Sequence, residues 1–318
     1  MTERLENVMP DYQNSLPSQK SALTGALMVA CAGLFWSFSG TFVRLAPHLD
    51  AWQFLTYRAA GVGVAFFIYD RLQRRESLIV RSFRLGWPGL LGAALMAGAF
   101  ISFILAIQNT SVAITLFVYS CAPILAGTMA YFILGERMTL AMIISMVLAL
   151  AGLGIMVNGQ LSGGSLFGYG MALLPALLFS YYAVMQRRYP GRDFSPAVSG
   201  FAFIVVIVAV AMMWLKGDDF LPNWFECGAA FTNGLVTMGL GFVLYQRGAA
   251  RVPAAGQLLL AQTETLFGSF WVWLFFNEKI SLETLEGGGL ILLGVVIMAY
   301  AGTNQEGART APAQNAKG

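Results

Sequence analysis

Charged residues are spaced along this chain so that ten stretches stay almost free of them: 22–43, 51–69, 86–107, 111–134, 139–158, 166–186, 195–215, 227–246, 253–276 and 284–301. Each is 18 to 24 residues long, and a helix needs about 20 apolar residues to cross a hydrocarbon layer about 30 Å thick. Backbone groups in lipid must be bonded within the chain, which leaves helices or a closed barrel. Barrel strands alternate over about ten residues, and these runs are longer and continuously apolar. The pattern predicts an all-α fold, a polytopic membrane bundle of ten transmembrane helices. Connections are mostly under ten residues, so consecutive helices are expected to be antiparallel neighbours.

Composition agrees with that pattern. Of the 318 residues, 57% are apolar and 11% are charged, less than half the charge usage of a soluble domain, which excludes a secreted domain, a disordered protein and a two-domain cytosolic enzyme. Nucleic-acid binding has no electrostatic footprint. Residues 1–21, with Pro10 and Pro17, and residues 302–318 have nothing to bury and read as disordered tails. Placing both tails in the cytoplasm puts fifteen Lys and Arg on the inner side, led by Arg71, Arg74, Arg75, Arg81 and Arg84, against Arg44, Lys216 and Lys279 outside. Cytoplasmic loops carry such an excess, so the expected location is a bacterial inner membrane with both termini cytoplasmic. The nineteenth cation, Arg58, falls inside a span.

Cys31, Cys121 and Cys227 are odd in number and lack metal-ligand spacing, so neither a disulfide framework nor a metal site is expected. The single histidine, His48, reads as a solvated loop residue. No cluster of His, Asp, Glu, Cys or Ser resembles an active site, so an enzyme is not expected, and no cofactor is implied. There is no ATP-binding motif.

Sliding the chain on itself by 142 residues superposes Glu136 on Glu278, Arg137 on Lys279, Gly152 on Gly294 and Met156 on Met298. A shift of 143 superposes Gly25 on Gly168, Ser37 on Ser180 and Arg44 on Arg187. Five helices per repeat is an odd number, so the halves are expected to run through the membrane in opposite senses as two inverted five-helix repeats. Secondary transporters recurrently use this plan, with a site near the midplane between the repeats.

These spans and the repeat, together with Asn109-Thr110-Ser111-Val112-Ala113, Pro123, Gly135-Glu136 and the echo at Asn277-Glu278, resemble the drug/metabolite transporter superfamily, in particular the EamA-type exporters. The resemblance implies EamA-like repeats over 22–158 and 166–301, a cavity lined by helices one, three, four, six, eight and nine, and export of amino acids or related small metabolites. Arg58 is placed like an arginine common in that family. The echo departs where Gly135 becomes Asn277 and Pro123 becomes Thr265, so the ninth helix is expected to be straighter than the family pattern.

Glu264 and Arg58 are ionisable groups well inside spans, where a charge is costly and usually functional. Glu264 is expected to bind a cationic group of the cargo or carry a coupling proton, or to pair with Arg58 and hold the bundle. Ser39, Tyr119, Tyr182 and Gln257 are polar at mid-helix depth and Trp36 is a deep aromatic, so they are further substrate-binding candidates; glue between helices is the competing role. Pro123 and Pro175 interrupt the fourth and sixth spans and are hinge candidates. Trp52, Trp87, Trp214 and Trp224 at span ends read as interface anchors. Glu136 and Glu278 read as turn residues between helices. The partners expected are a small-molecule substrate and the bilayer, with protons as a candidate coupling ion. A channel or a non-transporting sensor is the alternative.

Overall fold

In a computed structural model, residues 19–73, 78–110, 115, 118–136, 138–156, 165–189, 192–276 and 282–307 are described. All regular structure among them is helical. In chain order the helices are α1 (Gln19–Trp36), α2 (Ser39–Arg44), α3 (Ala51–Gln73), α4 (Leu78–Leu85), α5 (Trp87–Asn109), α6 (Ala122–Leu134), α7 (Leu140–Met156), α8 (Leu166–Arg188), α9 (Ser195–Lys216) and α10 (Trp224–Thr232). A π turn follows over Asn233–Met238, then α11 (Gly239–Ala249), α12 (Ala254–Ala261), α13 (Thr263–Phe276) and α14 (Leu282–Gly307). Five segments are long and apolar enough to cross a membrane: Ala22–Arg44, Trp87–Ala106, Leu166–Arg188, Ser195–Lys216 and Trp224–Ala249. Shorter apolar helices cover Ala122–Leu134, Leu140–Ile155 and Leu285–Met298.

Packing partners come in matched sets under the 142–143 shift. α8 packs on α5 as α1 packs on α11, and α9 packs on α5 as α3 packs on α10 and the π turn. α3 meets α9, α7 meets α14 and α6 meets α12. Small residues make these approaches possible: a Cβ on Gly152 would collide with the Gly287 carbonyl across the α7–α14 seam, and one on Gly61 would meet the Phe231 carbonyl. Without a hydrophobic drive between helices in lipid, such close packing is what holds them.

The caps repeat as well. Asp50 Oδ1 accepts from the Trp52 and Gln53 amides at 2.6 and 2.9 Å, and Asp193, its mate 143 residues on, accepts from the Ser195 amide at 3.0 Å. Each cap also takes a cation from another element, Lys216 at 3.1 Å for Asp50 and Arg81 for Asp193. Those two ion pairs mark opposite ends of the bundle. His48, in the loop before α3, is exposed but hydrogen-bonded through Nδ1 to buried Glu226 at 2.7 Å, on the Lys216 end. Glu136 pairs with Arg187 at 2.8 Å on the Arg81 end, next to the turn in which Gly135, at φ 69°, closes α6 in a left-handed conformation.

Several expectations need correction. The ninth span is not straight: it breaks at Gln262 between α12 and α13, without a proline. The fourth span breaks at Ser120–Cys121, and Pro123 sits in the first turn of α6 after the break, where its missing N–H costs nothing. α14 continues to Gly307, six residues into the segment read as a tail. Trp87, Trp214 and Trp224 are exposed as anchors should be, whereas Trp52 is buried. Asn277, Glu278, Lys279, Ser111, Val112, Ala113 and Arg137 lie outside the described residues.

Candidate functional site

Irregular backbone gathers where the matched helices converge. α1 stops at Trp36 and α2 starts at Ser39; the Ser37 hydroxyl donates to the Leu34 carbonyl at 2.6 Å and accepts from Trp271 Nε1 at 2.8 Å, while Phe38 stacks on Trp271. At the ninth-span break the Thr263 hydroxyl donates to the Ala30 carbonyl of α1 at 2.8 Å. The mating surface is Gly33, where a Cβ would strike the Thr263 hydroxyl and the Ala261 carbonyl. Polar backbone of this kind is tolerated at membrane depth where protein or a wet cavity covers it.

The break explains Glu264. It stands in the first turn of α13, where the positive end of a half-helix favours a carboxylate. Its charge acts on Arg58 of α3 and on Tyr119. Among the described residues no ion pair within 4 Å joins Arg58 and Glu264. Arg58 instead donates from Nη2 to the Met238 sulfur at 3.2 Å and lies 5.4 Å from the centre of the Phe100 ring, and its Nε is covered without a partner. A thioether and a ring face are weak partners for a guanidinium with five donors.

From Phe100, beside Arg58, an aromatic column runs to Tyr182. Phe100 contacts Phe201 and Phe242; Phe242 meets Trp36 at 5.0 Å; Trp36 meets Tyr245 at 5.6 Å; and Tyr245 meets Phe179, which stacks on Tyr182. A Cβ on Gly241 would overlap the Trp36 indole, so that glycine seats the ring. Below the column lies a polar layer. Gln186 donates to Gln246, and the Gln246 amide donates to the Tyr182 hydroxyl. The Tyr245 hydroxyl donates to Gln257 at 2.9 Å, and Gln257 donates to the Ala249 and Val252 carbonyls at 2.7 and 3.0 Å. This layer ties α8 to α11 and α11 to α12.

A sequence model described as the EamA-like transporter family matches residues 23–158 and again 166–300. The chain belongs to that family. It is therefore a membrane transporter of the drug/metabolite transporter superfamily. Similar relatives are an uncharacterized transporter, YwfM, of Bacillus subtilis, 26% identical over 291 residues that span 90% of this chain and 97% of the relative, and an uncharacterized transporter of Archaeoglobus fulgidus, 27% identical over 62% of this chain and 70% of the relative. A solved crystal structure shares the fold with a TM-score of 0.77 at 18% identity, covering 88% of this chain and 99% of the other.

In this EamA-family transporter the candidates divide into three groups. Arg58 and Tyr119 lie within electrostatic range of Glu264. Trp36 belongs to the column, and Tyr182 and Gln257 belong to the polar layer. Ser39 accepts from Asn233 Nδ2 at 3.3 Å at the edge of the π turn, where Asn233 also reaches Thr237. Pro175 lies inside an uninterrupted α8. Met238, Phe100, Gln186 and Gln246 were not legible as site residues. The glutamines do carry a signal, the Gln-Arg pairs 186–187 and 246–247 at the ends of the sixth and eighth spans.

Proposed function

We propose that the chain is a secondary carrier that exports a small zwitterionic metabolite, an amino acid or a close relative, by alternating access. The observation that carries this reading is that Arg58, an ionisable group inside a span, has only the Met238 sulfur on Nη2 and no partner on its covered Nε among the described residues, with Glu264 of the ninth span within electrostatic range. A ligand bearing a carboxylate and an ammonium group answers both, Arg58 taking the carboxylate and Glu264 the ammonium. Each charge is costly in the bilayer without a partner, so occupancy stabilises the site and can bias the conformational equilibrium.

The reading includes ten spans in two inverted repeats over 22–158 and 166–301, with both termini in the cytoplasm of a bacterial inner membrane. The matched packing sets and the distribution of Lys and Arg support it. The Arg187 end is then cytoplasmic, and the column and polar layer close the path on that side, as a carrier requires and an open channel does not. Protons remain the candidate coupling ion through Glu264.

Counterflow in proteoliposomes preloaded with unlabelled amino acids and related metabolites, probed with labelled compounds singly, tests the proposal. Transient accumulation of a zwitterion is expected, with Arg58→Gln and Glu264→Gln each weakening it by roughly 30-fold or more, the loss of one partner of a buried charge pair at about 2 kcal/mol or above. Flux that neither saturates nor shows counterflow would mean a channel. Wild-type counterflow by both variants, at equal amounts of folded protein, would remove the two residues from the site.

A further inference from the structure

The short helix α4 is built inside out. Arg81 and Leu85, about 40° apart around its axis, point into the protein and are 8% and 4% exposed, while Phe83 on the far side and Val80 beside it are 82% and 49% exposed. A helix against water turns the other way, with its charges outward. Arg81 pairs with Asp70 of α3 and with Asp193 ahead of α9, and its Nη2 also donates to the Ser195 hydroxyl at 2.8 Å. It therefore bridges the two repeats. Taking a guanidinium out of water is costly, and two carboxylates with a hydroxyl offset that cost. The depth of α4 is fixed by its neighbours. Asp70 lies in the last turn of α3, and only Gly86, at φ 60°, separates Leu85 from Trp87 at the start of α5. α4 thus sits level with the ends of two spans, packed on α9 and α5. The chain on either side exposes apolar side chains too, Ile68 and Leu72 before it and Trp87 and Leu90 after it, so the outer side of α4 continues the lipid-facing surface of both spans. Arg71 and Arg84, both exposed, bring positive charge to the same level, which suits phosphate headgroups.

We infer that α4 is a membrane-seated helix: Val80 and Phe83 lie in the phospholipid layer at the Arg81 end, and this seat holds Arg81 in its bridge between the two repeats. A helix with one apolar side and arginines around it settles at the boundary of acyl chains and headgroups. Eight residues are too few for a stable helix on their own, so α4 takes its rotation from what its two sides touch. Phe83 and Arg81 are about 200° apart, and a rotation that lifts the ring from lipid swings the guanidinium out of the bridge. The leaflet at this end therefore bears on how the repeats move against each other. Neither part depends on which cargo is carried.

Spin labelling of the full-length protein in vesicles of phosphatidylcholine and phosphatidylglycerol tests the seat. With Cys31, Cys121 and Cys227 replaced by alanine, a nitroxide on Phe83→Cys is expected to collide with oxygen, which concentrates in lipid, several-fold more than with a water-soluble nickel chelate, matching one on Leu90→Cys in α5. A preference for the chelate would place this side of α4 in water, and access by neither reagent would mean that another protein or a second copy covers it; both overturn the inference. The link to the bridge is read from thermal unfolding in the same vesicles. Phe83→Ser is expected to lower the midpoint by several degrees in the otherwise native chain and by less than about half as much in Asp193→Asn. Asparagine keeps a cap oxygen for the Ser195 amide and gives up the charge that faces Arg81 from the second repeat. Equal shifts in the two backgrounds overturn the inference.

Discussion

The joint of α1 with α11 and the joint of α8 with α5 occupy equivalent places in the two halves, and they are built differently. In the first, the helix breaks after Trp36 and a π turn leads directly into its partner; in the second, α8 runs unbroken from Leu166 to Arg188 against a regular α5. Ser37 and Ser180 are matched by the repeat, yet the Ser37 hydroxyl turns back to the Leu34 carbonyl of its own helix while the Ser180 hydroxyl crosses to the Ala122 carbonyl of α6 at 2.8 Å. Pro175 lies within the unbroken helix, and the broken first and ninth spans have no proline at their breaks. Helix continuity here follows from what the neighbouring helix offers the backbone, and proline does not decide it. Alternating access between inverted repeats requires the halves to take unlike conformations.

The largest expected effect separates the joints by one methyl group. Gly33→Ala puts a Cβ into the Thr263 hydroxyl and the Ala261 carbonyl, whereas the matched position already carries the buried Ala176. Overpacking of this kind costs about 1–3 kcal/mol, so a fall in thermal midpoint of several degrees and loss of most counterflow are expected. The converse Ala176→Gly is expected to cost roughly 1 kcal/mol, the helix propensity difference. Equal effects of the two substitutions, read by thermal unfolding in detergent, would erase the distinction between the joints.

A middle effect concerns the polar layer. Gln186→Leu with Gln246→Leu leaves the Tyr182 hydroxyl without its partners, a loss of roughly 1–3 kcal/mol, which weights the equilibrium toward opening at the Arg187 end. In protein whose other cysteines are replaced, Cys121 is half-buried at the fourth-span break. Its labelling by an impermeant thiol reagent from the Arg187 side is expected to rise in the double variant, and unchanged labelling would mean that the layer does not seal the path.

The smallest effect should come from the prolines. Pro123→Ala is expected to change stability by less than about 1 kcal/mol, since a first-turn proline acts mainly on the unfolded chain, and Pro175→Ala is expected to leave counterflow within about threefold of the wild type. A large loss of cycling in Pro175→Ala would make α8 a hinge and reverse the lesson of the unbroken helix.

Much of the fold was legible because lipid permits few solutions: the charge-free runs respond to that solvent, and the 142-residue echo repeats them. Glu264 and Arg58 were legible because charges inside apolar runs stand out. The breaks were not, since Gln262 and Ser120 differ in no obvious way from other polar residues within spans, and the cause lies in contacts such as Thr263 on Ala30 that join segments far apart in sequence. The π turn left a faint trace in Gly234 and Gly239, which both face α3, at Arg58 and Ala65. Met238 gave no trace, because in an apolar run a methionine whose sulfur faces an arginine reads like one that fills space.

The placement of the indoles also makes the protein report optically on its own joint. Of seven tryptophans, Trp87, Trp214 and Trp224 are exposed at helix ends, where water-soluble quenchers and headgroup probes can reach them. Trp271 is sandwiched against Phe38 and hydrogen-bonded to Ser37 at the point where the first span breaks. With the other six tryptophans replaced by phenylalanine, any straightening of that break would separate the stacked rings and free the indole N–H, and emission colour and lifetime would then follow the joint through the transport cycle without an attached dye.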